Sequence, residues 1–140
     1  TGRRHSELQR LKHAMSVSAP SLPQLLLSEL LASGGYDQFL RRARRAYAAS
    51  ESKVEEAVAA CFPSEARMTH PQGGFVIWIE VPGCDSVRIF ETAVREGILV
   101  APGLLFGAND TYRSFLRLTT SRWNPRIEAG IDRLSRIVRA

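Results

Sequence analysis

The sequence contains little cysteine and no long apolar run, and each shortage excludes a class of protein. Two cysteines, Cys61 and Cys84, cannot build a disulfide framework, and no Cys-x-x-Cys pair offers a zinc site. No apolar run approaches the roughly 20 residues of a membrane-spanning helix. No apolar segment follows the first residues, so no signal peptide is expected. The three histidines share no metal-ligand spacing. We therefore expect no metal site, no membrane contact and a reduced, cytoplasmic setting.

Positive charge comes almost entirely from arginine. The 140 residues include 17 arginines but only Lys12 and Lys53, and the formal net charge is +5. Both lysines lie in polar helical stretches, so we predict that both are solvated. A basic surface permits contact with nucleic acid or with an acidic partner, but it establishes neither.

Local patterns predict three helices, two strands, a helix, two strands and a last helix. Residues 1–62 are expected to be mainly helical, and residues 63–140 to form sheet and helices. Ser6 and Ser21 each have glutamine three residues later, the spacing of a capping box, so both are predicted N-caps. Asp85 is predicted to cap the fourth helix, and Asn124 the fifth.

Four stretches have the composition or alternation of strands, at residues 66–70, 75–79, 98–100 and 115–119. Helices that cover one face of such a small, mainly antiparallel sheet give an α+β layer structure. We predict a single α+β domain over residues 1–140.

The third helix carries a dense basic cluster, which we define as Arg41, Arg42, Arg44 and Arg45. Apolar residues at core spacing share this helix, among them Tyr36 and Phe39, and we expect them to hold it against the body of the domain. On this view at least one of the four arginines should lie near the buried face and pair with a carboxylate or a carbonyl.

Arg117 is the main candidate for ligand binding. In the predicted strand 115–119, alternation puts Leu116 and Leu118 on one face and Arg117 on the other. A guanidinium can hold a carboxylate through two parallel hydrogen bonds, although from the residues alone an inert surface arginine is the more common case. Gly73 and Gly74 could let the backbone approach a ligand, or they could form a plain hairpin turn. The loop from Pro102 to Gly107 could close over a site or simply connect two elements.

Four blocks of the sequence, taken together and in this order, resemble one known family. The blocks are Leu22–Gln24 with Ser33–Asp37 and Leu40–Tyr47; Pro71–Phe75 with Trp78; Gly97–Gly103 with Phe106; and Leu116–Leu118. Their residue types and separations are similar to the C-terminal part of class I/II aminotransferases, which depend on pyridoxal phosphate. The nearest subgroup is the MocR-type regulators, in which a GntR-like winged helix-turn-helix precedes an aminotransferase-like domain.

This resemblance implies the small C-terminal domain of the type I pyridoxal-phosphate fold, with Arg117 holding the carboxylate of the ligand and Gly73 and Gly74 lining the same cleft. It also implies pyridoxal 5'-phosphate in the full-length parent, with its Schiff-base lysine and phosphate contacts in a large domain upstream. We therefore expect this chain to contain no catalytic and no cofactor-binding residue, to bind no cofactor alone and to be no enzyme by itself.

Three functions are compatible with this pattern. The first is the C-terminal part of a MocR-type transcriptional regulator that senses an amino compound and binds DNA only through a winged helix-turn-helix outside this chain. The alternative is part of a catalytic aminotransferase acting on an amino acid such as 2-aminoadipate. The third is a stand-alone basic module.

Overall fold

A computed structural model describes residues 2–140 and divides the chain into two compact units. The first unit ends at Arg41, and the second runs from Arg42 to Ala140. The boundary falls inside helix α3, which spans Gly35–Cys61. That residues 1–140 act as a single domain stays a prediction.

The first unit is helical, with α1 at His5–Ser16, α2 at Ser21–Ala32 and the start of α3. Neither α1 nor α2 contains a buried residue. The capping boxes are wrong, because Ser6 lies inside α1 and Ser21 is the first residue of α2. Arg4 and Pro20 hold the N-cap positions, and neither side chain accepts a capping hydrogen bond. A serine whose own backbone is already helical is not in the extended conformation that an N-cap requires.

The second unit contains a four-stranded antiparallel sheet with strand order β1-β2-β4-β3. The strands are β1 at Arg67–Met68, β2 at Val76–Glu80, β3 at Ala101–Pro102 and β4 at Phe115–Thr119. The prediction for β4 is confirmed at both ends, whereas the strand predicted at 98–100 forms only at Ala101 and Pro102. Proline has no N–H to donate to a ladder, so an edge strand such as β3 is where it is tolerated.

Helices cover one face of this sheet, and the predicted α+β class is confirmed. Helix α4 spans Ser86–Arg95 and helix α5 spans Pro125–Arg139. The caps of both helices are confirmed, because Asp85 accepts from the N–H of Val87 and Asn124 from the N–H of Ile127. The core joins the second half of α3 to α4, α5 and the sheet. It consists of Val54, Val58, Phe62, Ile77, Ile79, Val81, Ile89, Ala93, Val100, Leu116, Ile131, Leu134 and Val138.

The prediction for the basic cluster of α3 is wrong. All four arginines are exposed, and none of them forms an ion pair with residues 2–140. At 100° per residue the four fall within an arc of about 160°, roughly opposite the buried Val54 and Val58. Phe39, which was expected to help bury the other face, is itself 62% exposed.

None of the helices in residues 2–140 combines the length and apolar character needed to span a membrane. The same part of the chain has no group of three or more histidine, cysteine, aspartate or glutamate residues able to hold a metal ion.

Candidate carboxylate-binding site

Arg117 lies at the centre of β4, an interior strand of the sheet. It is in register with Trp78 of β2 on one side and with Ala101 of β3 on the other. Leu116 is fully buried in the core beneath the helices. Alternation along the strand therefore puts Arg117 on the opposite face of the sheet, where it is half-buried.

Aromatic rings surround Arg117 on that face. The Cζ atom of Arg117 lies over the ring of Phe106, 4.8 Å from its centroid. The edge of Trp78 meets Phe106 in a T-shaped pair with centroids 5.1 Å apart. Tyr112 and Phe115 continue the cluster, with centroids 5.8 Å and 6.4 Å from that of Trp78. On the side of the guanidinium that faces these rings, its surroundings are therefore apolar.

Arg117 has no acidic partner within residues 2–140, since none of the ion pairs there includes it. Arg113, four residues earlier, shows the contrast. Its guanidinium lies 2.9 Å from an oxygen of Asp85 and 3.2 Å from one of Asp110. The backbone N–H of Val87 and the Arg113 guanidinium lower the pKa of Asp85, while Asp110 and then Asp85 raise the pKa of Arg113. Arg113 is thus neutralised by its neighbours, and Arg117 is not.

A groove of about 680 Å³ includes Arg117 in its wall. This volume falls within the range of small-molecule sites, about 300–1,000 Å³. The wall is mainly apolar and comes from β3, β4 and the helices around them. Its charged residues are Arg117, Arg126 and Arg133, and among residues 2–140 no carboxylate and no lysine lines it. The charge of the groove is therefore positive, while the rings around the Arg117 guanidinium lie outside its wall.

Gly73 and Gly74 lie in the exposed bend before β2 and are not among the residues that line this groove. Gly74 has φ +102°, a conformation that side chains other than glycine rarely adopt. A Cβ atom at either position would meet nothing within 4 Å. The bend therefore needs glycine at position 74 for its backbone shape, and contact between this bend and a ligand stays a prediction.

No protein-family model matches the chain, but individual regulators and aminotransferases do. It is 29% identical to YdcR, an HTH-type transcriptional regulator of Escherichia coli, over 98% of this chain and 30% of YdcR. It is 33% identical to a second such regulator of that organism, YjiR, over 84% of this chain and 25% of YjiR. Among solved structures, LysN, the alpha-aminoadipate aminotransferase of Thermus thermophilus, superposes with a TM-score of 0.81. That match covers 96% of this chain and 36% of LysN at 32% identity.

The chain is aminotransferase-like in both sequence and fold. The predicted resemblance is confirmed, and so is the type I pyridoxal-phosphate fold. The chain spans about a third of the length of the relatives it matches. What those longer proteins do as a whole therefore comes to this chain only as a proposal.

The described residues of this aminotransferase-like chain do not by themselves fit pyridoxal phosphate. That cofactor needs a lysine for its aldehyde and a cradle for its phosphate. The spacing Ser-x-x-Lys occurs at Ser50–Lys53, but this stretch lies inside α3, with Ser50 buried and Lys53 exposed. Lys12 is exposed on α1, and neither lysine lines the groove. No step of cofactor chemistry can be derived from these residues.

Sequence reasoning missed how the aromatic residues meet Arg117. Trp78 and Phe106 were noted as parts of separate family blocks, and no periodicity connects them. The signal that could have connected them is the pairing of β2 with β4, which brings Trp78 beside Arg117. The close packing of Gly103 against Tyr112 and Phe115 was missed as well.

Proposed function

We propose that this chain is the C-terminal, aminotransferase-like part of a MocR-type transcriptional regulator, and that Arg117 holds the carboxylate of an amino-compound effector. The observation that carries the proposal is the state of Arg117. It is half-buried, has no acidic partner within residues 2–140 and lines a groove that contains no carboxylate. A guanidinium in this state has donors free for a carboxylate, which it can bind through two parallel hydrogen bonds. The similarity to YdcR and YjiR, both named HTH-type regulators, supports the regulatory role.

The remaining parts of such a regulator would lie outside this chain. Pyridoxal 5'-phosphate would be held by a large domain that precedes it, and DNA would be bound by a winged helix-turn-helix further upstream. Gly73 and Gly74 would line the cleft between the small and large domains and would contact the effector through their backbone. We place the whole protein in the cytoplasm, without membrane contact.

A catalytic aminotransferase is the second candidate, favoured by the likeness to LysN, whose name describes an alpha-aminoadipate aminotransferase. The same arginine would then orient the carboxylate of a substrate rather than of an effector. The arginine chemistry is identical in both cases, so this chain alone does not separate them.

The two candidates are separated by measurements on the full-length protein. A regulator should bind DNA from its own upstream region, and L-2-aminoadipate or another amino acid should change that affinity without sustained formation of a 2-oxo acid. Fluorescence anisotropy follows DNA binding, and a coupled assay follows the oxo acid. Steady turnover without any DNA binding would favour the enzyme and overturn the regulatory proposal.

We expect the purified 140-residue chain to form no specific internal aldimine with pyridoxal phosphate. The physical reason is that Lys12 and Lys53 are both exposed, so neither lies in an enclosed site that could hold the cofactor. After mixing with the cofactor and gel filtration, the chain should retain no visible absorbance band. Borohydride reduction followed by mass spectrometry provides the check, and a stoichiometric adduct at one lysine would contradict the expectation.

We expect the basic cluster of α3 to bind DNA weakly and without sequence preference. Four exposed arginines can neutralise at most four phosphates, and the affinity then falls about 150-fold between 50 and 200 mM salt. Binding should therefore vanish near 150 mM salt, where the Debye length is about 8 Å. An anisotropy titration of the 140-residue chain at low salt and near 150 mM salt tests this. The control is a variant with Arg41→Gln and Arg45→Gln. Tight, sequence-selective binding at 150 mM salt would instead support a stand-alone basic module.

A further inference from the structure

We propose that Phe106 is a positioning residue for Arg117: its ring fixes the guanidinium so that the N–H donors face the carboxylate of the ligand. The inference rests on the proposed role of Arg117 and adds a residue to it. Phe106 itself contacts the arginine rather than the ligand.

The geometry of the pair is the first support. The Arg117 Cζ lies over the Phe106 ring at 4.8 Å from the centroid, within the roughly 6 Å at which a ring attracts a cation. The N–H donors of a guanidinium lie in its own plane, so a ring over its face leaves them free for a carboxylate. Because no acidic side chain of residues 2–140 pairs with Arg117, the ring is the principal attraction on this charge within the described chain.

The ring is itself held in place, which is the second support. Trp78 meets Phe106 edge-on at 5.1 Å, and Trp78 is in register with Arg117 across the β2–β4 ladder. Phe106 ends a short 3₁₀ turn, Gly103–Phe106, that begins directly after β3. The start of this turn is fixed by Gly103, whose Cα has backbone and side-chain atoms of Tyr112 and Phe115 packed against it. The ring is therefore in position before any ligand arrives, and such preorganisation lowers the cost of binding.

The exposure of the ring is the third support. Phe106 is 42% exposed and is not part of the hydrophobic core. A ring so exposed contributes little to core packing, so its loss should affect Arg117 more than it affects the fold. Stability and positioning can for this reason be measured separately.

The experiment uses the full-length protein labelled with ¹⁵N-arginine, together with Phe106→Leu, Phe106→Tyr and Phe39→Leu. Leucine removes the ring but keeps an apolar side chain, and tyrosine restores a ring. Phe39 is an exposed phenylalanine of α3 that belongs neither to the aromatic cluster nor to the cation–π pair, so Phe39→Leu is the matched control. The Nε–Hε signal of Arg117, assigned by its loss in Arg117→Lys, reports the position of the guanidinium, and titration with L-2-aminoadipate reports affinity.

In Phe106→Leu we expect the Arg117 Nε–Hε signal to lose its ring-current shift and the Kd of L-2-aminoadipate to rise about 3- to 10-fold, the scale of a half-desolvated cation–π pair. Phe106→Tyr should restore both, and Phe39→Leu should change neither. If the unmodified protein binds L-2-aminoadipate and Phe106→Leu changes neither signal nor Kd, the positioning role is overturned while the role of Arg117 stands. If the unmodified protein binds no L-2-aminoadipate, that assignment of the effector fails, and the Nε–Hε signal alone still decides whether Phe106 holds the guanidinium.

Discussion

Replacing Arg117 by alanine in the full-length protein should weaken binding of the amino-compound ligand by about 2–5 kcal/mol, or roughly 30- to 5,000-fold. The size of the loss follows from the surroundings of Arg117. The Arg117 guanidinium lies over the ring of Phe106, which in turn packs against Trp78, so a ligand carboxylate that lost this arginine would be left partly desolvated beside the aromatic rings. The fold should be almost unaffected, because Arg117 forms no ion pair within those residues that its removal could break.

Two further variants make this prediction specific. Arg117→Lys keeps the charge but loses the planar fork, so it should recover only part of the affinity. Arg122→Ala removes an exposed arginine just after β4 and should leave the affinity unchanged. Isothermal titration with L-2-aminoadipate and related amino acids measures all three. Equal affinity in Arg117→Ala and the unmodified protein would show that the carboxylate is held elsewhere.

The features that could be predicted from the sequence are those with local causes. The bounds of β4 follow from leucine at every second position of the five residues Phe115–Thr119. The caps at Asp85 and Asn124 follow from short side chains that reach an N–H two or three residues ahead. The order of helices and strands follows from the same kind of local pattern, and with it the α+β class.

The predictions that failed depend on tertiary structure or on where a helix begins, and a local sequence pattern reports neither. The sequence of α3 marks an apolar face, and Tyr36 and Phe39 belong to it, yet both are exposed. A helical pattern states which side chains share a face, but it does not state what covers that face. The capping boxes failed for a related reason: the N-caps lie two residues before Ser6 and one residue before Ser21, and the spacing of serine and glutamine is the same whether the serine precedes the helix or belongs to it.

In the candidate site, too, some features could be predicted from the sequence and others could not. The face on which Arg117 lies could be predicted from alternation, and its role from the resemblance. Its neighbours could not be predicted, because Trp78 reaches Arg117 across a ladder that joins residues 39 positions apart in sequence. Phe106 reaches it through a turn whose path depends on the packing of Gly103. Contacts of this kind follow from tertiary structure alone.

Replacing Gly103 by alanine should destabilise the second unit by about 3 kcal/mol, the upper end of the usual cost of overpacking. A Cβ atom at this position would lie 2.8 Å from both the Cβ and the carbonyl oxygen of Phe115, and closer still to the carbonyl oxygen of Tyr112. Two of these three atoms belong to the backbone, so they cannot move aside as a side-chain end can. The added methyl group should also displace the turn that carries Phe106, and the affinity for ligand should fall with the stability.

Gly130 provides the matched control, since it lies in the interior of α5 and a Cβ atom there would meet nothing within 4 Å. Gly130→Ala should stabilise the chain by about 0.5–1 kcal/mol, because alanine loses less backbone entropy in a helix than glycine does. Urea unfolding of the 140-residue chain, followed by circular dichroism, measures both substitutions. Opposite signs for the two glycines are the expected result, and failure of Gly103→Ala to fold at all would agree with it. A Gly103→Ala variant as stable as the unmodified chain would mean that the turn at Gly103 can move freely. The aromatic cluster would then not be held in place before the ligand binds.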